Sequence, residues 1–446
     1  MNREDRTRKM PESGGKPRSE GSLPDGMADA ATVTSLQQNG NPAAGKQPAG
    51  MRLAVSLSGT NLARASDYNQ RIVLQAIRLS GETTRIALAQ QTGLTPPTIA
   101  NITTRLEDMG LVAQLGRKHG GRGQPALRLA IHPDGAFAIG LNVDRDHITL
   151  VTLDLAGDVR SRVTREVRFA LPEDVVSIIA EELGGLLAAG GVDPDRVLGV
   201  GVARPDDLGG ITLPHKPRGY ERWSAVDFAS LLKDVLPWPV HVDNDAAAAA
   251  LGEAQGVGGQ DRASFFYVLI TAGLGGGPVI DGSYYRGARL RSGEIGLLPD
   301  PAGPFPGALV QDTVSLSAIE ERLEQAGRSL ERLDDLLALD PVMATTVDQW
   351  IADATRALTA PLVAVTCLLD PDAILIGGRL PVPLIERLSA RIEAALAQVP
   401  MPVRVPVQPA QMASDAPAIG AAILPFLDQL LPSDAILMQA GRVPAI

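Results

Sequence analysis

Between Tyr68 and Ile131 the chain packs three short helical patterns and two strand-like runs into 64 residues, and no other segment limits the possible folds so tightly. Ile72, Val73, Ala76, Ile77 and Leu79 form one apolar face at i, i+1, i+4, i+5 spacing, and Gly81 closes the segment. Thr84 is placed to cap a second, shorter helix with Leu88 turned inward, and Gly93 breaks it. Leu94 packs inward, and Thr95-Pro96 then opens a third helix as N-cap and first-turn proline. That helix runs to about Asp108 and stops at Met109-Gly110. Two apolar runs, LVAQL (111–115) and ALRLAI (126–131), enclose GRKHGGRGQP, which reads as a β-hairpin loop. The sum is a winged helix-turn-helix, assigned to 51–131.

The third helix has two unlike faces. At about 100° per residue, Ile99, Ile102 and Leu106 share a narrow inward stripe. Opposite them stand Pro97, Asn101, Thr104 and Arg105, with Thr98 at the edge. Short polar and cationic side chains of this kind suit base edges and phosphates in a major groove. The loop adds Arg117, Lys118 and Arg122 among glycines, a cationic wing suited to a minor groove. Taken alone, such a helix is also what a solvated amphipathic surface looks like. Three helices, a short Gly-containing turn, a hairpin and the local charge together decide in favour of DNA. The whole chain carries −10, yet 68–131 holds eight Arg/Lys against three Asp/Glu, a net of +5. Residues 132–446 hold 24 against 41, a net of −17, and that acidic remainder orients the molecule on a polyanion.

Length excludes a single core, since 446 residues exceed what one hydrophobic interior usually serves. Residues 1–50 are Gly-, Pro-, Ser-, Asn- and Gln-rich without apolar periodicity and read as a disordered tail; Met51 is an alternative start. No run approaches the roughly 20 apolar residues of a bilayer span, and no apolar stretch marks a secretory signal. A cytoplasmic protein with no membrane partner is expected. The single cysteine, Cys367, excludes an intramolecular disulfide and a cysteine-rich zinc site. After Pro133 the pattern turns to strand-like runs separated by helical stretches: AIGLNV (138–143), ITLVTLDLAG (148–157), VLGVGVA (197–203), HVDND (241–245), FFYVLIT (265–271) and AILIGG (373–378). The first two make a hairpin, and the whole predicts an α/β domain over 132–446, in two lobes with a cleft between them.

The stretch NQRIVLQAIRLSGETTRIALAQQTGLTPPTIANITTRLEDMGLV, followed by GRGQPALRLAI, resembles the DNA-binding half of ROK-family regulators. In the second half VDNDAAAAALGE (242–253), TAGLGGGPVIDG (271–282), SGEIG (292–296) and AILIGGRLP (373–381) resemble the same family's sugar-kinase motifs, so the likeness covers about 68–430. The resemblance implies a winged helix-turn-helix joined to an actin/hexokinase-like, ribonuclease H-like domain of two lobes. It implies that Asp245 stands where the kinases have their general base, Asn244 beside it as a sugar contact, and Glu294 as another. A strand-end carboxylate capping the Ala-rich helix is the alternative for Asp245, and both roles are compatible.

Departures from the family pattern are specific. Kinase members read G-I-D-I-G-G-T-K where this chain has Gly140-Leu141-Asn142-Val143-Asp144-Arg145-Asp146-His147. Asp144 and Arg145 replace two glycines, and Asp146 sets a negative charge beside any triphosphate, so nucleotide binding should be lost. Thr271-Ala272 precede Gly273, Gly275, Gly276 and Gly277 in place of G-T, which leaves either a phosphate-cradling turn or glycines kept for a tight hairpin. Leu297 replaces the family histidine and no cysteine cluster follows, so neither a metal nor any other cofactor is expected. These readings predict a non-enzymatic transcription regulator of carbohydrate-related genes, a repressor by family habit. Its partners would be a double-stranded operator and a small effector, a sugar or sugar derivative of neutral or weakly polar character. It would act as a homodimer or a dimer of dimers. A ROK sugar kinase with an added DNA-binding domain, and a DNA-binding dimer without a ligand, are the alternatives.

Overall fold

In the computed structural model, residues 62–117, 126–206, 208–210, 217–256, 262–337, 340–412 and 415–432 are described. The tail 1–50, Met51, Lys118 and Arg122 lie outside the described residues, and of Arg117 only the backbone is inside them. The first helix, α1 (Leu62–Ser80), buries Val73, Leu74, Ala76 and Ile77. Leu74 belongs to this face although the spacing did not single it out, and Ile72 and Leu79 are only half-buried. After β1 (Glu82–Thr84) comes α2 (Arg85–Thr92), whose N-cap Thr84 hydroxyl accepts the Ala87 amide at 3.3 Å. Gly93 ends α2 at φ 71°, a left-handed turn that suits glycine. Helix α3 (Pro96–Asp108) starts at Thr95 as expected, but the Thr95 hydroxyl bonds Thr98 Oγ1 (2.8 Å) and caps no helix amide. β2 (Val112–Arg117) and β3 (Leu127–Ile131) form the expected antiparallel hairpin, and β1 adds a third strand against β3.

Two lobes follow, built to one plan. The first contains β4 (Phe137–Val143), β5 (His147–Asp154), β6 (Val159–Glu166), α4 (Pro172–Gly190), β7 (Val197–Arg204), α5 (Phe228–Leu232), β8 (Val240–Asn244) and α6 (Asp245–Gln255). Its sheet has the order β6-β5-β4-β7-β8, with β6, β5 and β4 antiparallel and β4, β7 and β8 parallel. The second contains β9 (Phe265–Ile270), β10 (Leu274–Ile280), β11 (Ser283–Tyr284), α7 (Val310–Thr313), α8 (Leu316–Gln325), α9 (Pro341–Leu369), β12 (Ala373–Gly378), α10 (Val382–Leu396), β13 (Val407–Pro409) and α11 (Ala416–Gln429). Its order, β11-β10-β9-β12-β13, repeats the antiparallel-then-parallel pattern. β4, β9 and β12 are buried along their whole length, which is why they read as unbroken apolar runs. α9 is long and apolar enough to cross a bilayer by length and composition. Its Trp350, Ile351, Ala354, Leu358 and Leu362 instead lie in the second lobe's core.

The last helix of each lobe packs on the other lobe. α11 presses so close to the first sheet that a Cβ on Gly201 would stand 1.7 Å from Ala421 O. α6 lies on the second sheet, where a Cβ on Gly277 would meet Ala250 Cβ at 2.6 Å. The two helices also touch each other: a Cβ on Gly420 would be 1.6 Å from Ala248 O. Only hydrogen fits at such an approach. The DNA-binding segment joins this assembly directly, because Val73, Leu74 and Ile77 share one buried cluster with Leu153, Leu155, Ile423 and Phe426. Arg71 Nη1 donates to the end of α11 at Asp428 O (2.9 Å) and to Leu431 O (3.3 Å) just beyond it. Basic side chains favour that end of a helix.

Candidate nucleic-acid interface and ligand cleft

The winged helix-turn-helix sets α3 by its inner stripe, with Ile99, Ile102 and Leu106 all buried. Pro97, Asn101, Thr104 and Arg105 are exposed on the opposite face, with Thr98 half-buried at its edge. Arg85 fixes the crossing of α2 and α3 by donating to Thr103 Oγ1 (2.8 Å) and pairing with Glu107 (3.2 Å). Glu107 also accepts from Gln114 on β2 at 2.7 Å. Glu107 is thereby tied into the scaffold, and Asn101, Thr104 and Arg105 are presented on an element held against α2 and β2.

The second site is a cleft between the lobes that opens to solvent. Asn244, Asp245 and Glu294, separated by fifty residues of sequence, all line it. Asn244 is also the N-cap of α6, its Oδ1 accepting the Ala247 amide at 3.1 Å, while Asp245 Oδ1 accepts the Ala246 amide at 2.8 Å. Capping and facing the cleft therefore coexist. Burial, helped by the neighbouring Asp144 charge, pushes the Asp245 carboxyl up to about 7. Across the cleft Arg291 pairs with Glu294 at 3.2 Å and stands 3.6 Å from Asp206.

The loop after β4 is closed by its own charges. Asp144 Oδ1 accepts the Arg145 amide at 2.7 Å, so a side-chain carboxylate takes an N–H that a phosphate oxygen would need. Asp146 pairs with His147 Nδ1 (2.7 Å) and Arg379 Nη1 (2.6 Å). Burial alone would raise the Asp146 carboxyl, but His147 and Arg379 outweigh it and hold the group well below the usual carboxylate range. Asp144, Asp146 and His147 bring three donor atoms within 4.8 Å of one another, the spacing a metal ion needs. Arg379 and Asn142 compete there, since Asn142 Nδ2 lies 2.8 Å from His147 Nε2. The Gly-rich segment answers the hairpin alternative. Gly275, Gly276 and Gly277 lie in or beside β10 where a Cβ would strike Ala246, Phe266 or Ala250. Gly273, Gly275 and Gly276 line the cleft, and Gly277 lies away from it against α6.

Arg145, Asp206, Thr271, Tyr284 and Arg291 also line the cleft, and nothing in the sequence pattern distinguishes them as liners. Tyr284 ends the short strand β11, and the other four sit in turns or loops.

Comparison with known proteins agrees with this architecture. The family model described as the ROK family matches residues 138–426, and a winged helix-turn-helix DNA-binding model matches 66–113. The uncharacterized protein y4fQ of Sinorhizobium fredii is 30% identical over 80% of this chain and 90% of its own length. The N-acetylglucosamine repressor of Escherichia coli O157:H7 is 24% identical over 72% of this chain and 82% of its own. Of the Bacillus subtilis xylose repressor, which is also similar, the match spans 59% of the length. A crystal structure of a ROK family transcriptional regulator shares the fold with a TM-score of 0.60 at 23% identity, covering 84% of this chain and 99% of that one.

Proposed function

The chain belongs to the ROK family, and from that premise we propose that it is a DNA-binding repressor of carbohydrate-related genes whose kinase-like half senses a sugar without phosphorylating it. The observation that carries this reading is one molecule holding both an exposed polar α3 face and a cleft lined by Asn244, Asp245 and Glu294, joined through a continuous core. Asn101 reads bases, Pro97, Thr98 and Thr104 fit the groove floor, and Arg105 reaches a guanine or a phosphate. Arg117, Lys118 and Arg122 supply the wing's phosphate contacts. A homodimer places two such helices on two half-sites. The relatives named as sugar repressors support the same conclusion.

Two features support sensing without catalysis. The Asp144 carboxylate already occupies a backbone donor of the first phosphate loop, and Asp146 with Arg379 fills the space behind it. A path for the signal is also present. α6 begins at Asp245 in the cleft and ends at Gln255, whose Oε1 accepts from Gln75 and Arg78 of α1, each at 3.1 Å. A shift of α6 on lobe closure is thereby felt at the helix-turn-helix, and a coupling of about 1–3 kcal/mol would change operator affinity roughly 5- to 150-fold. Fluorescence anisotropy on the promoter fragment upstream of the chain's own gene, with and without a panel of sugars and sugar derivatives, tests the reading. Binding that a carbohydrate weakens supports it. Turnover of ATP with a sugar at enzyme-like rates, or no affinity for DNA, overturns it.

A further inference from the structure

Arg145 is 5% exposed, and its Nε is sealed from solvent with no hydrogen-bond partner. Among the described residues no hydrogen bond or ion pair reaches the guanidinium at all. Its backbone is nevertheless fixed, the amide by Asp144 Oδ1 and the carbonyl by the Phe169 amide, both at 2.7 Å. The side chain lines the cleft, with Nη1 3.3 Å from the place a Cβ on Gly273 would take. Arg379 nearby, its side chain largely covered, shows the ordinary arrangement: two carboxylates, Asp146 and Glu166, each at 2.6 Å. A buried guanidinium without a counter-ion is costly, and the nearby Asp245 carboxyl and Tyr220 hydroxyl feel its charge without making contact. The cleft that its side chain lines has room for the missing partner.

Resting on the sensor reading above, we infer that Arg145 is the anion-binding residue of the cleft, and that the effector is a carbohydrate bearing a phosphate or carboxylate group paired with this guanidinium. The planar fork of arginine matches either oxyanion in a two-point contact. The acidic liners do not oppose such a ligand strongly. Glu294 and Asp206 share Arg291, and a carboxyl with the Asp245 titration takes up a proton as an anion approaches. The hydroxyl end of the ligand then meets Asn244 and Glu294. This replaces the neutral ligand that the family pattern alone suggested.

Isothermal titration of the full chain and its Arg145→Gln and Arg145→Lys variants at pH 6.5 tests the assignment. The probes are inorganic phosphate, D-glucose 6-phosphate, D-glucuronate and neutral D-glucose. At least one anionic probe is expected to bind the native chain and to weaken about tenfold or more in Arg145→Gln. Arg145→Lys should recover part of the loss, and the phosphate and carboxylate probes show which oxyanion fits. If all three anions bind native protein and Arg145→Gln alike, or none binds, the inference is overturned. Glucose binding with no preference for its anionic derivatives removes it too, while leaving the sensor reading in place. An operator complex indifferent to every carbohydrate would remove the sensor reading itself.

Discussion

Replacing Asp245 by Asn should stabilise the protein increasingly as pH rises from 4 to 7. The carboxyl lies at the start of α6, 8% exposed, with Asp144, Arg145 and Asp206 as the charges around it and Arg291 with Glu294 across the cleft. Burial first and Asp144 second push it up to about 7 from its ordinary value of 3.8. Because the folded form holds its proton more tightly than the unfolded chain, folding carries no penalty from this group below about pH 4. Stability is then lost at about 1.4 kcal/mol per pH unit between the two pKa values and is flat above the higher one. Three units set a ceiling of about 4 kcal/mol. Asparagine has no charge to bury and keeps the acceptor for the Ala246 amide, so the variant escapes the loss. Urea denaturation followed by the fluorescence of Trp223, Trp238 and Trp350 at pH 5, 6, 7 and 8 measures the difference. A gap between variant and wild type that widens with pH is expected. Two parallel profiles would refute the assigned environment.

Leu106→Ala should cost about 2–5 kcal/mol in the same denaturation assay, because its side chain is fully buried under α3. Asn101→Ala should leave stability unchanged and relax sequence choice by about 1–3 kcal/mol at one base pair, read by competition with variant operators. Gly420→Ala forces a methyl against Ala248 O, and a large fall in thermal midpoint, or a chain locked in one lobe arrangement by small-angle scattering, is expected. Gln255→Ala removes the acceptor shared by Gln75 and Arg78, and should reduce the effector's influence on operator affinity while leaving effector binding intact. Equal loss of both would show that Gln255 is structural only.

Local periodicity made much of this molecule legible. Ile99, Ile102 and Leu106 against Asn101, Thr104 and Arg105 give α3 two faces wherever it is placed, and the structure buries the first set and exposes the second. β4, β9 and β12 declare themselves because strands covered on both sides need apolar residues throughout. Asn244, Asp245 and Glu294 were found through motif resemblance, and the fold brings them to one cleft. What tertiary structure alone decided involves partners far apart in the chain. Glu82–Thr84 becomes a strand only because β3 offers an open edge 46 residues away, and its own side chains carry no apolar signal. The crossing of α6 and α11 depends on glycines whose partners are carbonyls more than 150 residues distant. Arg145 and Arg379 illustrate the division most sharply. Both follow a core strand and both side chains are largely covered, yet one is held by two carboxylates and the other by none. Composition and spacing are the same kind of signal for each; the docking of the two lobes puts Asp146 within reach of Arg379 and turns Arg145 toward the cleft.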